Sequence, residues 1–216
     1  MATKISGQPT GVSEVLRQSV ISLGCIFIHI PKCAGNAVQK SLFGKVVFGH
    51  QTIRQYQLAF TSSEYRKAWK FTITREPFER IVSAWRFLRA GGFHKHDAKF
   101  YEDNLSHLPS FDHFVNEWLV HQNLDRCGCV HFKPQVHYIR EFNGSIPMNH
   151  IVKMSNLAVE YENLRSRFGG GSLVVDNQSR DSTTDCTLTE VNKETLSAIS
   201  SLYSEDYEQL GYPYPS

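Results

Sequence analysis

The chain has 216 residues, 41% of them hydrophobic and 20% charged, and its 23 Lys+Arg against 21 Asp+Glu leave a formal net charge of +2. This composition excludes a disordered chain, and the near-balance of charge excludes nucleic-acid or anionic-membrane binding through bulk electrostatics, so any anion site has to be local. The length suits one domain covering 1–216; no run approaches a spanning helix or signal peptide, and five cysteines at irregular spacing (Cys25, Cys33, Cys127, Cys129, Cys186) do not form a disulfide framework, so a cytoplasmic protein with no membrane span is expected.

Residues 1–22 read as a lead-in, weakly helical over 13–20. The apolar run CIFIHI that begins at Cys25 has the length and β-branched character of a buried strand, which Pro31 ends because proline has no N–H for a ladder. A turn of mostly small residues follows (Lys32, Cys33, Ala34, Gly35, Asn36, Ala37), with Asn36 as N-cap of a helix whose apolar face carries Val38, Leu42 and Phe43. The stretch VVFGH at 46–50 reads as a short strand ending at His50. Helices are expected over 51–60 and 62–67, with Thr61 and Ser62 as caps between them.

The run WKFTIT at 69–74 is the next strand, with Arg75 at its end. Pro77 suits the first turn of a helix, whose stripe of Phe78, Ile81, Val82, Trp85 and Leu88 stops at Gly91-Gly92 and carries Ser83 at its edge. Residues 91–109 lack clear periodicity and read as an insertion or lid. Helical spacing returns over 111–120, followed by Cys127-Gly-Cys129 and HFKPQVHYI at 131–139. A late strand at 151–154, a helix at 157–168 closed by three glycines, a polar loop reaching Ser179 and Arg180, and a helix or helix pair over 190–210 complete the chain. The pattern is that of an α/β domain of P-loop-like type, with a central parallel sheet of about four or five strands and helices on both faces.

Strand, small-residue turn and helix N-terminus together form an anion site, because unpaired N–H groups and the positive helix end point into the turn. Lys32 adds a full charge. The lysine precedes the glycine, so this is not the NTPase loop, in which Gly-Lys-Ser/Thr closes the motif. Arg75 also follows a strand and feeds a helix, which puts it on the same C-terminal sheet edge as Lys32, where open α/β sheets bind ligands. Two phosphate sites on one ligand are the economical reading: the turn holds one phosphate, and the Arg75 fork with the Ser83 hydroxyl holds the other.

FIHIPKCAGNAV resembles the 5'-phosphosulfate loop of the carbohydrate-modifying, Golgi-type sulfotransferases (sulfotransferase family 2), and FTITREPFERIVSAW resembles their 3'-phosphate motif. GHQTIRQY, HFKPQVHYI, VEYENL, VVDNQS and LYSEDYEQLGY are similar to further family elements, so the resemblance spans about 25–212. It implies a PAPS-dependent O-sulfotransferase. The donor is 3'-phosphoadenosine 5'-phosphosulfate (PAPS), the product is PAP, no metal takes part, and the acceptor is a hydroxyl-bearing carbohydrate or small molecule.

By the same resemblance His50 is the catalytic base, with Lys32 stabilising the leaving phosphate. Residues 32–37, Arg75 and Ser83 bind the donor, and Ser179 and Arg180 close over the nucleotide. Where the family carries Thr or Ser this chain has Asn36, whose amide still donates. An ATP-dependent kinase of P-loop-like fold and a non-catalytic nucleotide-binding module remain open as alternatives; His29, His131 and His137 compete with His50, and Cys127, Cys129, His131 and His137 could be drawn as a metal site.

Overall fold

In the computed structural model, residues 10–174 and 191–215 are described. Their sheet has three strands, β1 (Cys25–Ile28), β2 (Trp69–Thr74) and β3 (His150–Lys153), in the order β1-β2-β3 and parallel throughout. The register sets Cys25 beside Trp69 and Ile28 beside Thr72, and then Phe71 beside His150 and Thr74 beside Lys153. Every residue of β1 is buried, as an apolar run lacking alternation requires when both faces of a strand are covered.

The helices in chain order begin with α1 (Glu14–Leu23), α2 (Gly35–Phe43), α3 (Ile53–Ala59) and α4 (Ser62–Lys67). Then come α5 (Pro77–Arg89), α6 (Lys95–Asn104) and α7 (Phe111–His113), which continues through a π-type turn (Phe114–Trp118) and a 3-10 turn (Leu119–His121). The last four are α8 (Gln135–Ile139), α9 (Leu157–Phe168), α10 (Lys193–Leu202) and α11 (Ser204–Leu210).

Four expectations need correction. The described residues hold three strands rather than four or five. Residues 46–50 are not a strand, because side chains take the backbone groups that a ladder would use: Phe48 N–H donates to Gln39 Oε1 at 2.9 Å, and His29 Nδ1 donates to the Phe48 carbonyl at 2.9 Å. Helix α2 starts one residue before Asn36, with Ala34 in left-handed geometry as its N-cap. Residues 91–109 are not irregular throughout: Asp97 Oδ2 accepts the N–H groups of Phe93 at 3.0 Å and His94 at 3.2 Å, which starts α6. Ser179 and Arg180 lie outside the described residues.

The buried side chains form two clusters. One surrounds the sheet, where Phe27 and Phe71 stack at 4.7 Å and Phe168 of α9 lies flat on Phe71 at 5.9 Å. The other joins α5, α6, the 111–121 segment and α10–α11 through Trp85, Phe111, Phe114, Phe132, Ile199 and Tyr203. Helix α5 faces this second cluster and starts at the end of β2, so it links the sheet edge to it.

Phe71 sits on the central strand and packs against both neighbours, so its loss leaves a cavity that the strand ladder cannot close. Phe71→Ala is expected to lower the unfolding free energy by about 3–5 kcal/mol. The exposed Val159→Ala should change it by no more than about 0.5 kcal/mol. Urea denaturation checks both values.

Candidate active site

The turn after β1 carries two non-glycine residues in the left-handed region, Lys32 (φ 68°) and Ala34 (φ 58°). L-residues resist that conformation, and alternating it along a chain turns successive backbone N–H groups to one side, forming an anion-binding concavity. Gly35 opens α2 beneath the His29 ring, and a Cβ there would lie 1.9 Å from His29 Cδ2. Glycine at this position is therefore set by close approach rather than by φ. Cys33 is fully buried and burial pushes its thiol up to about 12, so it packs rather than reacts.

The Lys32 ammonium lies 3.9 Å from the centre of the Phe87 ring, whose edge meets His131 at 4.9 Å and Phe93 at 5.0 Å. Burial pushes the Lys32 pKa down to about 8; Arg75 adds to the shift and Asp97 opposes it. A neighbouring cation and partial desolvation both favour taking up an anion here.

Three histidines converge on this turn. The His50 ring lies 4.5 Å from that of His29 and 6.3 Å from that of His131. His50 Nδ1 is 2.9 Å from the His29 carbonyl. A carbonyl only accepts, so Nδ1 carries the proton and Nε2 keeps its lone pair. Burial holds the His50 pKa below its ordinary value, with the His29 carbonyl and Asp97 opposing and Lys32 adding to the shift. His29 and His131 are each pushed down to about 4 by burial first, with His50 adding to the shift in His29 and Lys32 in His131.

His131 Nε2 faces Asp97 Oδ1 at 3.6 Å, and its buried Nδ1 has no partner among the described residues. Despite burial, which opposes it, the N–H groups of Phe93 and His94 and the nearby His131 keep the Asp97 carboxyl below its ordinary value. His137 lies apart from this group, between Asp125 at 3.1 Å and Glu205 at 3.4 Å. Among the described residues no three metal-ligating side chains are placed to hold an ion.

Arg75 follows β2 on the same sheet edge. Its Nε meets Glu79 Oε2 at 3.2 Å, one turn before the half-buried Ser83 on α5. Arg75, Glu76, Glu79, Met154, Ser155 and Tyr212 line a cleft of about 240 Å³ beyond the ends of β2 and β3. The sheet edge thus carries Lys32 and Arg75; among the described residues no hydrogen bond joins Ser83 or Asn36 to either, and the Asn36 side chain accepts from Gln39 Nε2 at 3.1 Å.

The residue that sequence reasoning quoted but left without a role is Gln135. Its Oε1 accepts from the Arg75 N–H at 2.9 Å and from the Cys33 thiol at 3.4 Å, and its Nε2 donates to the Arg75 carbonyl at 2.8 Å. Buried Asp206 of α11 accepts from the N–H groups of Gln135 at 2.8 Å and Val136 at 2.9 Å, capping α8. Buried Arg80 of α5 fixes the preceding loop by donating to the carbonyls of His131 at 3.0 Å and Lys133 at 2.7 Å. The sequence signal for Gln135 was the H-x-x-P-Q spacing from His131 to Gln135.

One edge of a parallel sheet thus carries a left-handed turn, a lysine and an arginine. The sequence pattern of the sulfotransferase family matches residues 24–213, so the chain belongs to the sulfotransferase family. No curated protein and no solved structure matches it significantly.

His29 and His131 are neutral in the folded chain and ordinary histidines once unfolded, so unfolding takes up protons between pH 6.5 and about pH 4. Their contribution is complete above that window and is lost as pH falls through it. Urea midpoints taken at intervals from pH 6.5 toward pH 4 should fall progressively. A flat profile would contradict the buried neutral imidazoles.

Proposed function

We propose that this chain is an O-sulfotransferase that uses PAPS as donor and transfers its sulfuryl group to the hydroxyl of a carbohydrate or a small natural product. The observation that carries this reading is the delivery of Lys32 and Arg75 to one sheet edge, with His50 close enough to feel the Lys32 charge and its Nδ1 proton engaged by the His29 carbonyl. Family membership supports sulfuryl transfer as the reaction.

In this mechanism the 5'-phosphosulfate lies in the 31–37 turn. The 3'-phosphate pairs with the Arg75 guanidinium, where it competes with Glu79, and Ser83 adds a hydroxyl donor from the next turn of α5. His50 Nε2 takes the acceptor's hydroxyl proton as the oxygen attacks sulfur. The bond from sulfur to the bridging phosphate oxygen breaks in line, and PAP leaves with the electron pair. Charge grows on that bridging oxygen, and Lys32 with the turn's N–H groups are preorganised to stabilise it.

The transfer needs no redox change and no metal. Segment 91–109 forms the acceptor side of a single sulfotransferase domain: α6 brings Asp97 to His131, and the shifts in His50 and Lys32 register its charge.

His50→Ala is expected to lower turnover with PAPS by about 10²–10⁴-fold, the usual worth of a positioned base. Its affinity for PAP should stay within about threefold, because the ring is not among the phosphate donors. Radiolabelled sulfuryl transfer and calorimetric titration of PAP measure the two quantities. Unchanged turnover would move the base to His131, the other imidazole near Lys32.

A further inference from the structure

Gln135 is hydrogen-bonded both to Arg75 and to Cys33, the neighbour of Lys32 in the turn after β1. It holds both backbone polar groups of Arg75, as a strand neighbour would, and the same Oε1 receives the thiol of Cys33 inside the turn. It is fully buried, and its own position is fixed from behind: Asp206 binds its backbone N–H and lies 3.3 Å from its Nε2. Burial raises the Asp206 carboxyl pKa, while Arg80 and the N–H groups of Gln135 and Val136 oppose the shift. A buried acid capping a helix turn and a buried guanidinium bracing the loop before it form an extensive support for one amide.

Neither Arg75 nor Cys33 needs this support for its secondary structure. β2 ends at Thr74, and the turn is closed by α2. What the amide adds is a fixed spacing between them. We propose that Gln135 is a positioning residue that sets the separation of the two phosphate subsites, and so determines the preference for a nucleotide carrying both a 3'- and a 5'-phosphate over one carrying the 5'-phosphate alone. This inference rests on the donor reading above.

Two phosphates on one rigid ligand bind together only if their subsites hold the matching distance, because the second contact is then intramolecular. Loss of the amide lets the Arg75 backbone and the turn shift independently, which weakens the doubly anchored ligand more than the singly anchored one.

The test is calorimetric titration of 3',5'-ADP and 5'-AMP against the full chain, wild type and Gln135→Met, an apolar side chain of similar length. In the wild type 3',5'-ADP binds tighter. In the variant the ratio of the two affinities should fall at least tenfold, while 5'-AMP affinity changes less than threefold. A purely structural role would lower the melting temperature and leave the ratio intact, and that outcome overturns the proposal.

Should Gln135→Met not fold, Gln135→Asn carries the same readout: it keeps an amide beside Asp206 but is one methylene short of Arg75, and the same fall is expected. A wild type that binds both nucleotides equally overturns the donor reading, and the clamp with it. A wild-type preference that survives in the variants overturns the clamp alone.

Discussion

Parallel pairing of β1 with β2, in the register that sets Ile28 beside Thr72, is the constraint on which the site depends. Parallel strands release their chains at the same edge, so the segments that follow must diverge there into two helices, α2 and α5. Lys32 and Arg75 are the residues at which they diverge. An antiparallel pair, or a one-residue slip, would separate the two cations or turn one of them into the core. The remainder of the fold holds that edge open: α9 and Phe168 cover one side of the sheet, and the α5–α10–α11 cluster braces the loop that carries Gln135.

The electrostatics follow from this geometry. Two cations are held near each other with partial burial, and the lysine carries the penalty as a lowered pKa. The neighbouring imidazoles are disfavoured as cations by the same burial, so they do not compete with the lysine for positive charge. Phe87 completes the arrangement by offering its ring face to the Lys32 ammonium, an interaction that stabilises a cation lacking full hydration.

What could be read from the sequence was what local chemistry decides. The buried run of β1, the stripe and Pro77 start of α5, and both ends of Leu157–Phe168 follow from periodicity and capping residues close in sequence. The two stretches read as phosphate motifs are each a strand end, a turn and a helix start, a layout that is also written locally. Residues 46–50 were misread because their β-type composition meets no strand: His29 and Gln39 take up their backbone groups, and neither partner is visible in the local pattern. The bonds of Gln135 to Arg75 and Cys33 were invisible because those partners lie 60 and 102 positions away, and only the tertiary fold brings an amide in one helix to a thiol in a distant turn. The helix at 95–104 was hidden by its cap, which pairs Asp97 reaching back with His94, a residue type that does not mark an N-cap in sequence.

A protein that binds a ligand only in its folded state melts higher as that ligand is added. The central claim, one ligand held by two phosphates at one sheet edge, is tested most directly by a thermal-shift titration of the wild-type chain with 3',5'-ADP, using 5'-AMP and ATP as controls. The account predicts a saturable rise in melting temperature with 3',5'-ADP that exceeds both controls at every concentration. A rise with ATP alone, or none with any of the three, would contradict it.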